Sequence, residues 1–178
     1  MGISFLNWLQ IYVVTDWLNP FMKFFTMIGE FGAVWVVLGL LLLCRKSTRR
    51  QGIYCLLAVM LSGIFCNLLL KPLVMRTRPF VINPQIELLL PPPADASFPS
   101  GHASASFAAA TAMTGFSRVA TICFYCLAVL ISFSRMYFYL HFPGDILGGF
   151  VMGILLGLMA HYGGEFLIKR WRWLQERC

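Results

Sequence analysis

Charge is scarce in this chain. Only 12% of its 178 residues are Asp, Glu, Lys or Arg, against 59% that are hydrophobic, about half the charged share of a soluble domain. So few polar groups cannot cover a water-facing surface, which excludes an ordinary soluble protein. Acidic residues are rarer still, 7 against 14 basic, for a net charge of +7. On a soluble chain that balance would raise nucleic acid as a partner. Here the charges sit in the gaps between apolar runs, so topology signals, lipid headgroups or a phosphate-bearing substrate are the expected reasons for them, and nucleic acid is not. The first residues lack a basic start and a small-residue cleavage site, so no cleavable signal peptide is expected. The six cysteines form no disulfide framework. Cys55, Cys66, Cys123 and Cys126 lie inside apolar runs and Cys44 ends one, as free buried thiols do.

What the chain has in abundance is apolar length. A span needs about 20 apolar residues, so the sequence predicts one all-α membrane domain over residues 1–178, a helical bundle of five to six transmembrane helices with no soluble module. Met1 to Thr15 is short, with Phe5, Trp8, Leu9 and Tyr12 at helical spacing, and reads as an interfacial helix on the membrane surface. Spans are predicted at Phe21 to Cys44, with a bend at Gly29 to Gly32, then Gly52 to Leu70, Gly101 to Gly115, Val119 to Tyr137 and Pro143 to Ile168. The prolines of Lys71 to Pro99 exclude a span there. Gly149, Gly153 and Gly157 repeat every four residues, and the Gly101 to Gly115 run is crowded with alanine. Small faces let helix backbones approach closely in lipid, so the third and fifth spans are predicted neighbours.

Most of the 14 basic residues fall on one side of this layout: Arg45, Lys46, Arg49, Arg50, Arg118, Lys169, Arg170, Arg172 and Arg177. The positive-inside rule places them in the cytoplasm. The Lys71–Pro99 loop and the turn before Pro143 then face outward.

Three short segments meet at the outward end: Lys71 through Arg76, Arg78 and Pro79; Pro99-Ser100-Gly101-His102; and Ser134-Arg135 followed by His141 and Asp145. Each has a structural explanation alone. Lys71 and Arg78 can snorkel at a span end, His102 can cap or pack, and Asp145 suits the first turn of a helix after Pro143. His161, in the inner half of the last span, is expected to be structural. Together the residues suggest chemistry. Lys71, Arg78 and Arg135 can hold phosphate oxygens, the arginines bidentately. The Ser100–Gly101 backbone opens a helix whose N-terminus is an anion site. Asp145, four residues from His141, can fix its tautomer and leave the other ring nitrogen nucleophilic. Zinc on His102, His141 and Asp145 would be the alternative, but the three cations would repel a divalent ion and no His-Glu-x-x-His motif is present. No charged residue is placed mid-span to line a path, which argues against an anion channel or transporter.

These segments resemble, at full spacing and in order, the three signature motifs of the type 2 phosphatidic acid phosphatase superfamily: K-x6-R-P, P-S-G-H and S-R-x5-H-x3-D. The resemblance implies a metal-independent lipid phosphatase without a cofactor. It implies that His141 is the nucleophile forming a phosphohistidine, that Asp145 orients it, and that His102 protonates the leaving group and then activates water. Lys71, Arg78, Ser100, Gly101 and Arg135 would bind the phosphoryl oxygens, with Arg76 as an extra contact. Short membrane-only members of this kind are similar to bacterial plasma-membrane lipid phosphatases with an outward site. The implied substrate is undecaprenyl diphosphate, with phosphatidic acid or phosphatidylglycerophosphate as the alternative. Oligomeric state is not legible in the sequence.

Overall fold

The computed structural model describes residues 2–175 of the chain, with side chains through Arg170. The basic tail beyond it, with Arg172 and Arg177, carries no described side chain. The regular structure among the described residues is all helical: α1 (Gly2–Tyr12), α2 (Asn19–Ile28), α3 (Ala33–Leu43), α4 (Arg49–Ser62), α5 (Lys71–Val74), α6 (Pro79–Ile82), α7 (Gly101–Ala112), α8 (Arg118–Tyr137) and α9 (Pro143–Gln175). A π-helical stretch, Gly63–Leu70, continues α4 into α5.

Three helical segments among the described residues are long and apolar enough to cross a membrane: Arg49–Ile82, Arg118–Tyr137 and Pro143–Arg170. A fourth crossing is made if α2 and α3 act as one span, bent by 50°. The bend lies where the paired glycines predict it, in a 3-10 turn of Glu30–Gly32 with Phe31 at φ 50° and Gly32 at φ 69°. The expected third span is a short helix. Helix α7 has 12 residues, about 18 Å of rise, well short of the roughly 30 Å of a hydrocarbon core. It has no need of that length, because Ala103 to Ala112 are all buried in protein, surrounded by α4, α8 and α9.

The predicted pairing of α7 with α9 is present. Gly149, Gly153 and Gly157 lie so close to α7 that a Cβ would come within 2.6, 2.7 and 2.6 Å of the Ser100, Ser104 and Ala108 carbonyl oxygens. Polar links complete the packing. Trp35 Nε1 donates to Ser106 Oγ at 2.9 Å, and Ser62 Oγ donates to Ser104 Oγ at 2.8 Å. These bonds satisfy side chains that lipid could not. At the inner end His161 lies 2.9 Å from the Ala112 carbonyl and edge-on to Tyr54, the structural role expected of it.

Helix α1 is too short to span. Leu6 and Leu9 are buried against Tyr139 and Phe142, while Phe5, Trp8 and Tyr12 are exposed. Asn7 Oδ1 accepts from the Tyr139 hydroxyl at 2.6 Å, and Gln10 Nε2 donates to the Tyr137 carbonyl at 2.8 Å. The N-terminal helix thus braces the turn that carries His141.

Candidate active site

The site lies where α7 and α9 begin and α8 and the π-helical stretch end. Lys71 is the first residue of α5, and α5 ends at once because Met75 adopts φ 47°. Arg78 has extended backbone, as a residue before proline must. Ser100 caps α7, its Oγ accepting from Ala103 N at 3.5 Å. Gly101 meets Asn67 so closely that a Cβ would sit 2.8 Å from Asn67 Oδ1. Arg135 lies in the last turn of α8, and Tyr139 at φ 59° turns the chain toward His141. The three non-glycine residues held at positive φ among the described residues, Phe31, Met75 and Tyr139, all flank this site. Such backbone costs about 1–3 kcal/mol each and collects at functional sites.

A cavity of about 900 Å³ is lined by Lys71, Arg78, Gly101, His102, Arg135 and His141, and also by Lys23, Glu30 and Asp95. Several polar groups around it lack partners. Arg135 Nη1 donates to Thr26 Oγ1 at 2.5 Å, but its buried Nε has no acceptor. The buried Nε2 of His102 makes no aligned hydrogen bond, although Glu30 Oε2 stands 3.4 Å away. Buried unpaired donors are rare in finished interiors, and here they surround one space.

His141 and Asp145 are buried. Asp145 Oδ2 is 3.6 Å from His141 Nδ1, and Arg78 Nη1 is 3.2 Å from His141 Nε2. A guanidinium can only donate, so Nε2 offers its lone pair and the proton sits on Nδ1, toward the carboxylate. Burial pushes the His141 imidazole well below its ordinary value near 6.5, and the charges of Arg78 and Arg135 push the same way, against Asp145. The ring is therefore neutral, with its Nε2 lone pair directed at the Arg78 guanidinium.

Sequence reasoning did not single out four further residues. Asp95, in the proline-rich loop, pairs with Lys71 and with Arg78. Glu30 contradicts the expectation that no charge lies mid-span: it sits at the break of the bent span, beside His102. A carboxylate inside an apolar run is itself a functional signal. Ser97 donates to Asp145 Oδ2 at 2.5 Å. Lys23 lines the cavity from α2. Arg76, expected as an extra phosphate contact, ion-pairs Asp145 Oδ1 at 2.7 Å and lines a second cavity together with Lys71 and Arg78.

The sequence profile of the PAP2 superfamily matches residues 51–169. The chain is 34% identical over 145 residues to an undecaprenyl-diphosphatase of Sulfolobus acidocaldarius, covering 80% of this chain and 69% of that protein. It is 29% identical over 142 residues to the undecaprenyl-diphosphatase BcrC of Bacillus subtilis, covering 80% and 72%. Among solved structures, LpxE of Aquifex aeolicus superposes with a TM-score of 0.78 at 25% identity, over 89% of this chain and 93% of that one. A transmembrane PAP2-type phosphatidylglycerolphosphate phosphatase of Bacillus subtilis superposes with a TM-score of 0.75 at 25% identity, over 92% and 84%.

Proposed function

Since the chain belongs to the PAP2 superfamily and is a membrane phosphatase, we propose that it hydrolyses undecaprenyl diphosphate to the monophosphate and phosphate, on the outward face of the membrane. The observation that carries this reading is the single cavity onto which Lys71, Arg78, Arg135, His102 and His141 open together, in a chain similar to two undecaprenyl-diphosphatases.

The terminal phosphoryl group lies between Lys71, Arg78, Arg135 and the start of α7, whose backbone N–H groups face an anion. His141 Nε2 attacks its phosphorus. A P–N bond forms as the bridging P–O bond breaks, and the electron pair leaves on the lipid monophosphate. His102 gives that oxygen a proton, and Glu30 beside it stabilises the protonated ring. Water then attacks the phosphohistidine, His102 takes its proton, and the P–N bond breaks to release phosphate and restore His141. Asp145 balances the charge that His141 gains during the attack. The protein's own cations neutralise the phosphoryl oxygens, so no metal or cofactor is assigned a step.

The second phosphate needs its own cation. Arg76 is engaged by Asp145, so Lys23 takes that role: it faces the same cavity and has no ion pair among the described residues. The exposed Phe5, Trp8 and Tyr12 of α1 suit a helix lying in the lipid interface. The structural similarity to a phosphatidylglycerolphosphate phosphatase favours a glycerophospholipid phosphate as the second reading.

The test is phosphate release by the purified protein, as kcat/KM for undecaprenyl diphosphate, phosphatidic acid and phosphatidylglycerophosphate in one detergent. The isoprenoid diphosphate is expected to lead. A preference of about tenfold or more for either glycerolipid, roughly 1.4 kcal/mol, overturns the choice. Lys23→Ala is expected to weaken diphosphate turnover more than monophosphate turnover.

A further inference from the structure

The Asp145 carboxylate has no solvent exposure, and a buried carboxylate keeps its charge only where partners hold it. Both of its oxygens are engaged from outside the three motif positions credited with chemistry. Oδ1 takes Arg76 Nη1 at 2.7 Å. Oδ2 takes Ser97 Oγ at 2.5 Å and Phe142 N at 2.8 Å, and it is this oxygen that faces His141 Nδ1. The two outside partners are tied to each other, because Ser97 N donates to the Arg76 carbonyl at 2.8 Å. Arg76 also lies over the ring of Phe142, 4.4 Å from its centroid, next in sequence to His141. One arginine thus grips both the carboxylate and the neighbour of the imidazole.

We infer that Arg76 and Ser97 are positioning residues for the reaction: they hold the Asp145 carboxylate ionised and aimed at His141 Nδ1, and so set the orientation of the attacking Nε2. This rests on the reading of His141 as nucleophile. It gives Arg76 a role unlike phosphate binding, since its guanidinium is bound to the Asp145 carboxylate and Arg76 does not line the cavity onto which Arg135 and His141 open. It also explains why the loop before Pro99 is anchored to the segment after Lys71: that anchor brings Ser97 onto the carboxylate.

The two roles predict different kinetics. A phosphate-binding cation, when removed, raises KM and weakens a phosphate mimic. A positioning residue, when removed, lowers kcat and leaves the phosphate site intact. The experiment measures kcat, KM and the inhibition constant for orthovanadate in wild type, Arg76→Ala, Arg76→Lys, Ser97→Ala and Ser97→Thr, using undecaprenyl diphosphate and monophosphate substrates. Arg76→Ala and Ser97→Ala are expected to lose about 10- to 100-fold in kcat, the scale of a misplaced catalytic group. KM and vanadate inhibition should stay within about twofold of wild type, and both substrates should suffer alike, since the uniform binding energy is untouched. Arg76→Lys and Ser97→Thr should recover part of the loss. A raised KM, weakened vanadate inhibition or a selective loss on the diphosphate overturns the inference for Arg76, and an unchanged kcat in the alanine variants overturns it for both residues. If Arg76→Ala does not fold in detergent, the Ser97 pair decides alone. A wild-type protein that releases no phosphate from any lipid phosphate refutes the underlying reading instead, so the two failures are distinct.

Discussion

Asp95 is bound to Arg78 twice, by its carboxylate at 2.5 Å from Nη2 and by its backbone carbonyl at 2.8 Å from Nε. Its other oxygen pairs with Lys71. Two of the three cations assigned to the phosphoryl group therefore share one carboxylate, which an incoming phosphate must displace. Asp95→Asn is expected to lower KM and the vanadate inhibition constant by roughly two- to tenfold, since half-exposed ion pairs of this kind contribute about a kcal/mol or less each. Unchanged constants would mean that Asp95 does not compete.

The same pair carries a pH signature. Burial raises the Asp95 carboxyl, but Lys71 and then Arg78 outweigh it and hold it down, from 3.8 to about 2. A depressed carboxylate contributes stability that is fully present above its unfolded value, near 4. That contribution is lost as pH falls through the folded value. Thermal melting in detergent between about pH 4 and pH 2 should fall less steeply in Asp95→Asn than in wild type, and parallel curves would count against the pairing.

The histidines should separate by phase. His141→Ala is expected to abolish both turnover and any phosphoenzyme. His102→Ala should still form phosphoenzyme slowly from a substrate with a good leaving group, where acid catalysis matters less, and Glu30→Gln should slow the same step with a poor leaving group. Trapping acid-labile labelled phosphate on the protein measures this. An undiminished signal in His141→Ala would remove its assignment as nucleophile.

Chelation should matter little. EDTA is expected to leave activity largely intact while orthovanadate inhibits, because Lys71, Arg78 and Arg135 supply the charge that a metal would otherwise bring. Activity lost to EDTA and restored by zinc or magnesium would revive a metal site on His102, His141 and Asp145.

Orientation can be read on intact cells with an impermeant thiol reagent. A cysteine at Ala94, beside the site, is expected to label, and one at Lys46, in the basic loop between α3 and α4, is not. The reverse pattern would turn the site to the cytoplasm.

Much of the site was legible because its chemistry is written at fixed local spacing. His141 and Asp145 are one helical turn apart, and Ser100 and Gly101 open a helix wherever that helix lies. What was not legible depends on how the Pro-rich loop folds back. Nothing local says that Ser97 will reach Arg76, or that Arg76 will choose Asp145 over a phosphate two residues from Arg78. The bend at Gly29–Gly32 was readable from the glycines, yet the carboxylate of Glu30 within it was overlooked. Helix α7 was legible as an alanine-rich run packed on α9 but not in its full enclosure: a helix surrounded by protein need not match the thickness of lipid.

The π-helical stretch Gly63–Leu70 sets the rotational phase with which Lys71 emerges from its helix. A π turn accommodates an extra residue compared with an α turn. Deleting one residue from α4 instead, among ordinary α turns that cannot absorb the change, would swing Lys71 by about 100° around the axis and out of the cavity toward lipid. The motif K-x6-R-P would survive such a deletion letter for letter, and the enzyme would not. In this chain the distance that matters upstream of the first motif is an angle, and a sequence comparison that counts only residues within the motif is blind to it.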